Sequence, residues 1–432
     1  MDILNAKPFQ IIVIAVFAVL GLVGLYLFAT FNGMVGGKTP IGAVEIWGTV
    51  SADPVNDALG ELKSFDKRYG DITYVQKSEA TFGIDLAEAI AAGEGPDMLL
   101  ISQEEILSQR NKLDVIPFES IDERTYRDSF LPITELYLTS NGTYGLPIVV
   151  DPLVLYYNRP LMATNGVAEA PRTWEAVTGL ATRFTERTQD GGIARSLIGF
   201  GEYGNVTNAR AIISLFLLQS GSNISEYTTS GLRSTLNQGG GSGTSVASAI
   251  NFYTQFADPA KTLYSWNRSM PESRQAFLSG DVALYVGFAS ELPELKAANP
   301  NLDFDMARIP QPGTVQVRTN YALAYAFAVP KASGNKSGAF AAASELVLNG
   351  YGKDLARALY MAPAQRSLLQ AATDDKYGAV FYPEALIAKG WLSPSPKETD
   401  AIFGTMIGNI TTGRMDVQSA LSTADQSLNE AL

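Results

Sequence analysis

From residue 43 onward the chain alternates short apolar runs with longer stretches whose apolar positions fall three and four apart. Residues 43–47 (AVEIW) predict a strand. Residues 54–69 (PVNDALGELKSFDKRY) predict a helix with Val55, Leu59, Leu62 and Phe65 on one face. A strand at 71–75, a helix at 82–92 closed by Gly93, and an apolar strand at 98–101 follow. A second set comprises 149–157 as strand, 174–187 as helix, 197–200 as strand and 209–219 as helix. The last third is mostly helical, including 339–348 and 417–428. Strands separated by helices of this length mean βαβ units on a mainly parallel sheet, so the expected fold class is α/β in at least two lobes. The apolar runs 212–218 and 323–329 are too short to span a bilayer and read as a buried helix and a buried strand.

Ahead of this pattern, residues 11–29 (IIVIAVFAVLGLVGLYLFA) are 19 residues without a charge. About 20 apolar residues span a bilayer core. The run exceeds the apolar core of a signal peptide, and Phe28-Ala29-Thr30-Phe31-Asn32 is a poor cleavage site. We therefore expect an uncleaved transmembrane anchor at 9–31, followed by a Gly-rich tether at 32–40. The flanking charges are too few to orient it.

Composition narrows the chemistry. The 432 residues include no cysteine and no histidine. That excludes disulfides, thiol nucleophiles, His-dependent triads, zinc ribbons and a lipid anchor on cysteine. The net charge of −12 weighs against nucleic acid as a partner. No cofactor and no metal site is expected. The motif Gly199-Phe200-Gly201-Glu202-Tyr203-Gly204 matches G-x-G-x-x-G literally. Glu202, however, would set a negative charge where a pyrophosphate should bind. It reads as a Gly-rich loop.

Six segments, in order, carry a resemblance: AVEIWGTV (43–50), AIAAGEGPDMLLIS (89–102), GTYGLPIVVDPLVLYYNRPLM (142–162), APRTWEAVTGLA (170–181), AFLSGDVALYVGFASEL (276–292) and ITTGRMDVQSALSTADQSLNEAL (410–432). Together they resemble the extracytoplasmic solute-binding proteins of ABC importers, in the carbohydrate-binding group that includes the maltose-binding protein. The resemblance implies a two-lobed periplasmic-binding-protein fold whose lobes are discontinuous. One lobe would take 41–149 plus 320–371 and the other 150–319 plus 372–432. Chain crossings would fall near 148–151, 317–322 and 362–375. It also implies a monomeric receptor outside the cytoplasmic membrane that captures a sugar or similar polar solute and passes it to ABC permease subunits, without catalysis.

Carried over by motif, the ligand-binding candidates are Trp47, Gly48 and Thr49 after the first strand, Ser102 and Glu104 after the third, and Asp151 in the crossing strand. Glu202 and Tyr203 follow in the Gly-rich loop, then Trp266, Gly287, Phe288 and Phe403. The aromatic candidates, Trp391 among them, have a plainer reading as core, and Asp151 as a solvated strand end. Phe288 and Phe403 stand where the maltose-binding pattern has other aromatics, which weighs against a long maltodextrin. Two other classes stay open on the residues alone. One is an anchored sensory or adhesive protein without a transporter. The other is a glycosidase using Asp151 and Glu202 as paired carboxylates.

Overall fold

Parallel pairing begins at once. Strand β1 (Val44–Gly48) leads through helix α1 (Ala52–Phe65) to β2 (Ile72–Gln76), and helix α2 (Phe82–Ala92) leads to β3 (Met98–Ser102). Both β2 and β3 pair with β1 in parallel. The computed structural model describes residues 41–190, 192–237, 245–313, 317–369 and 375–432. The anchor and tether expected at 9–31 and 32–40, and part of the crossing expected at 362–375, lie outside these residues. Among the described residues no helix is long and apolar enough to cross a membrane.

Further along come β4 (Leu146–Asn158), α3 (Trp174–Phe184), β5 (Ile193–Ile198), α4 (Ala209–Gln219), β6 (Val282–Phe288), β7 (Phe304–Ala307) and β8 (Asn320–Ala328). Helices α5 (Gly378–Leu386), α6 (Pro396–Thr411) and α7 (Val417–Ala431) lie toward the end of the chain. Strand order across the main sheet is β2-β1-β3-β8-β4-β6-β5, with β7 also on β4. Strand β4 belongs to both halves. Residues 146–152 pair antiparallel with β8, and 153–157 pair antiparallel with β6. The handover from one half to the other falls between Pro152 and Leu153. Twelve of the 13 residues of β4 are buried, which is why its sequence reads as a near-continuous apolar run rather than an alternating one. This is a two-lobed α/β fold in which one strand runs through both lobes.

Local chemistry sets the element ends. Gly93 closes α2 at φ 75°, a left-handed conformation that favours glycine. The Thr173 hydroxyl accepts the Ala176 N–H at 3.2 Å and caps α3 ahead of Trp174. One expectation fails at such an end. Val55 and Leu59 are buried in α1, whereas Phe65 is 87% exposed. It is the last residue of the helix, and its side chain faces solvent instead of the core.

Each lobe has its own apolar centre. In the first, Trp47, Phe82, Leu86, Leu99, Ile101, Leu113 and Ala328 pack together between α2 and the sheet. In the second, Phe216 of α4 meets Trp174 at 4.9 Å between ring centroids, Phe252 at 5.3 Å and Phe200 at 5.6 Å, in tilted and edge-on geometries. Replacing a buried phenylalanine by alanine costs about 3–5 kcal/mol. Phe216→Ala should therefore lower the urea midpoint by a corresponding amount. An unchanged midpoint would mean that this aromatic cluster does not hold the second lobe together.

Candidate functional site

The carboxyl ends of parallel strands are where open α/β sheets bind ligands. A cavity of about 270 Å³ lies there, lined by Glu79, Glu104, Tyr203, residues 206–211, Glu272, Phe288, Tyr321, Leu323 and Asp400. Its walls come from the end of β3, the start of β8, the end of β6, the first turn of α4 and helix α6.

Glu104 is fixed by its two neighbours. The Gln103 side-chain amide donates to Ala322 O at 3.0 Å and accepts the Ala324 N–H at 2.7 Å, which ties the turn after β3 to β8. Glu105 accepts the Ser102 N–H at 2.9 Å and closes a capping box. Burial pushes the Glu105 carboxyl up to about 7, and the Ser102 N–H only partly offsets that. Held on both sides, Glu104 is 2% exposed and accepts the Tyr321 hydroxyl in a very short hydrogen bond.

Opposite it stands Arg210, the one charged side chain in α4, at the second position of a mostly apolar helix. A cation in the first turn faces the positive end of the helix dipole. Three carboxylates offset this. The guanidinium Nη2 lies 2.8 Å from Glu79 Oε1 and 3.0 Å from Glu104 Oε2, and Nη1 lies 2.6 Å from Asp400 Oδ2. Burial alone would lower the Arg210 pKa, but Glu104, Glu79 and Asp400 outweigh it and hold the pKa well above the ordinary value. The Tyr203 hydroxyl donates to Asp400 Oδ1 at 2.6 Å. Burial first, and Asp400 second, push that phenol upward. The site thus offers carboxylates, a guanidinium and two phenols beside the Phe288 ring, a set suited to hydroxyl-bearing solutes.

Of the residues expected from sequence, Glu104, Tyr203 and Phe288 come together on this cavity. The others do not line it. Trp47 is packed in the first-lobe core, with its indole N–H donating to Glu45 at 2.5 Å and Lys77 Nζ 3.5 Å from its ring centroid. Gly48 is pressed against the Leu100 carbonyl, where an added Cβ would lie at 2.9 Å. Thr49 is half-buried in the bend after β1. Ser102 serves Glu105, as described. Asp151 lies at the β4 handover and accepts both the N–H and the hydroxyl of Ser290, at 3.1 and 2.6 Å. Burial pushes its carboxyl up to about 7. Glu202 faces Arg268 at 3.4 Å and Thr411 at 3.5 Å. The two carboxylates of the glycosidase alternative are thus both engaged away from the cavity.

Trp266 and Phe403 are fully buried. Phe403 stacks on Trp391 with ring centroids 6.0 Å apart, and Trp391 donates to Ser214 at 3.1 Å. At Gly287 a Cβ would strike the Tyr285 ring and the Glu291 carboxylate, so this glycine makes room for packing. The same holds in the Gly-rich loop. Gly201 sits at φ 99°, and a Cβ there would meet Ala257 N at 2.5 Å.

Arg210, Asp400, Tyr321 and Glu79 were not expected. A lone arginine opening an apolar helix was the one visible hint.

Comparison with known proteins agrees with this fold. The pattern of the bacterial extracellular solute-binding proteins matches residues 50–353, and the chain belongs to that family. Among curated proteins none matches the chain by sequence. Solved structures match in fold. A cyclo/maltodextrin-binding protein complexed with maltotetraose is 15% identical at a TM-score of 0.70, covering 92% of this chain and 98% of that one. A Thermus thermophilus maltotriose binding protein bound with maltotriose is 18% identical at 0.67, with 90% and 99% covered. An ABC substrate-binding protein from Listeria monocytogenes in complex with cycloalternan is 18% identical at 0.67, with 90% and 98% covered. At these identities the likeness is one of fold.

The Asp151 environment makes a pH prediction. Its folded pKa, about 7, lies above the unfolded value of about 3.9. The protonated form is the one the fold favours. The stability it contributes is full below the unfolded value, is lost as pH rises through the folded one, and is gone above it. Asp151→Asn should therefore gain on the parent by up to about 1.4 kcal/mol per pH unit between roughly pH 4 and 7, and stay level above. Denaturant titrations at several pH values check this, and a difference independent of pH would contradict it.

Proposed function

We propose that this chain is a membrane-anchored receptor on the outer side of the cytoplasmic membrane. It takes up a sugar or similar polar solute between its lobes and delivers it to an ABC permease. Membership of an extracellular solute-binding family supports the location and the binding role. The observation that carries the solute class is the polar cavity, in which Glu104, Arg210, Asp400, Tyr203 and Tyr321 surround a space edged by Phe288. Charged and phenolic groups can pair with hydroxyls, and an aromatic face can cover the C–H side of a sugar ring. Solved structures of the same fold carry sugars, which agrees with this choice.

The anchor rests on the uncharged run 11–29. With no cysteine available for a lipid, an uncleaved helix would keep the receptor near its permease. In this reading the chain performs no chemistry on its solute. It contributes capture and closure, and hinge closure around a ligand is a general mode for such two-lobed proteins.

A thermal-shift screen of the full chain against mono- and oligosaccharides, polyols, polyamines and peptides tests the reading. A solute at about 100 times its dissociation constant adds roughly 2.7 kcal/mol to stability. One sugar class should raise the melting temperature by a few degrees. Glu104→Gln and Asp400→Asn should each weaken that solute about tenfold, since a hydrogen bond to a charged group is worth about 1.5–3 kcal/mol. A shift with polyamines or peptides alone would refute the sugar assignment.

A further inference from the structure

The cavity is small. At about 270 Å³ it lies just under the range of roughly 300–1,000 Å³ typical of pockets for drug-sized molecules. Arg210 is one of its lining side chains. It projects from the second-lobe helix α4 and is held on its own side by Asp400 of α6, at 2.6 Å. Its other contacts run across the cleft to Glu79 at 2.8 Å and to Glu104 at 3.0 Å, on the segments either side of α2 and β3. Glu104 is in turn fixed by Tyr321, near the start of β8.

These partners differ in how easily they can be given up. Glu79 is 58% exposed, so water replaces its share of the bridge at little cost. Glu104 is 2% exposed and Arg210 17%. Parting that pair leaves a buried carboxylate without its counter-charge, which is strongly unfavourable unless water or a solute group takes its place.

We propose that Arg210 is an interlobe latch that determines what the cleft admits. With the bridge made, the protein closes without a solute, and the free space suits a molecule of about one sugar ring. A chain of three or four rings requires the arginine to swing out. The size limit rests on the sugar reading given above, whereas the latch itself does not.

Absence of native cysteine makes a distance measurement direct. Spin labels would be placed through Glu61→Cys on α1 and Ser422→Cys on α7, both exposed positions, in the full-length chain in detergent and without solute. The parent should give one short distance distribution. Arg210→Gln should move it to longer distances. Glu104→Gln, which removes the buried counter-charge of Arg210 while keeping an acceptor for the Tyr321 hydroxyl, should do the same, and it decides the matter if Arg210→Gln does not fold. Distributions that superpose on the parent in the folded variants would overturn the latch. With sugars added, Arg210→Gln should raise the ratio of trisaccharide to monosaccharide affinity at least tenfold, and an unchanged ratio would overturn the size limit. Failure of every sugar to bind counts against the sugar reading alone, because the distance measurement is made without one.

Discussion

Strand β4 is the constraint on which the rest depends. Its first seven residues complete the sheet of one lobe, and its last six begin the sheet of the other. A single covalent strand therefore fixes the register of both halves. The handover is reinforced from the side. Asn320, at the start of β8, donates to Leu153 O at 2.8 Å and to Glu384 of α5 at 3.1 Å, and Glu384 pairs with Arg318 at 2.7 Å. Glu384 is fully buried, and burial pushes its carboxyl up to about 7 despite the arginine. A buried polar group of this kind is tolerated only when partnered, so the segments on either side of the handover are held to one arrangement.

The cleft follows from that geometry. Once β3, β8 and β6 deliver their ends to one place, the side chains just beyond them face each other across a gap. Glu104 is buried there because Gln103 and Glu105 anchor the turn that carries it. A carboxylate buried in such a place needs a partner of opposite charge, and Arg210 supplies it from the opposite wall. The groups that line the cavity are thus also the groups that pair with one another across it.

Much of the scaffold was legible in the sequence because strand and helix periods are local properties. The runs at 98–101 and 149–157 and the helix at 209–219 all fall within elements of those types. Phe65 shows the limit, since periodicity assigns a helix face but not where the partner surface stops. The site was legible only in part. Glu104, Tyr203 and Phe288 follow predictable strands and loops. The Arg210–Asp400 pair joins residues 190 apart, and nothing local announces it. Trp47, Trp266 and Phe403 mark the converse difficulty. An aromatic that could stack on a sugar can equally fill a core, and here all three are buried in the lobes. Asp151 has the chemistry of a ligand carboxylate, but its position at the handover gives it to Ser290.

Hydrogen exchange with and without a stabilising solute reports where the solute acts as well as whether it binds. Binding between the lobes should add protection at residues 103–105, 203–211, 287–290 and 321–323 and in the first turn of α6, the walls of the cavity. Protection confined to the outer surface of one lobe, with these segments unchanged, would contradict it.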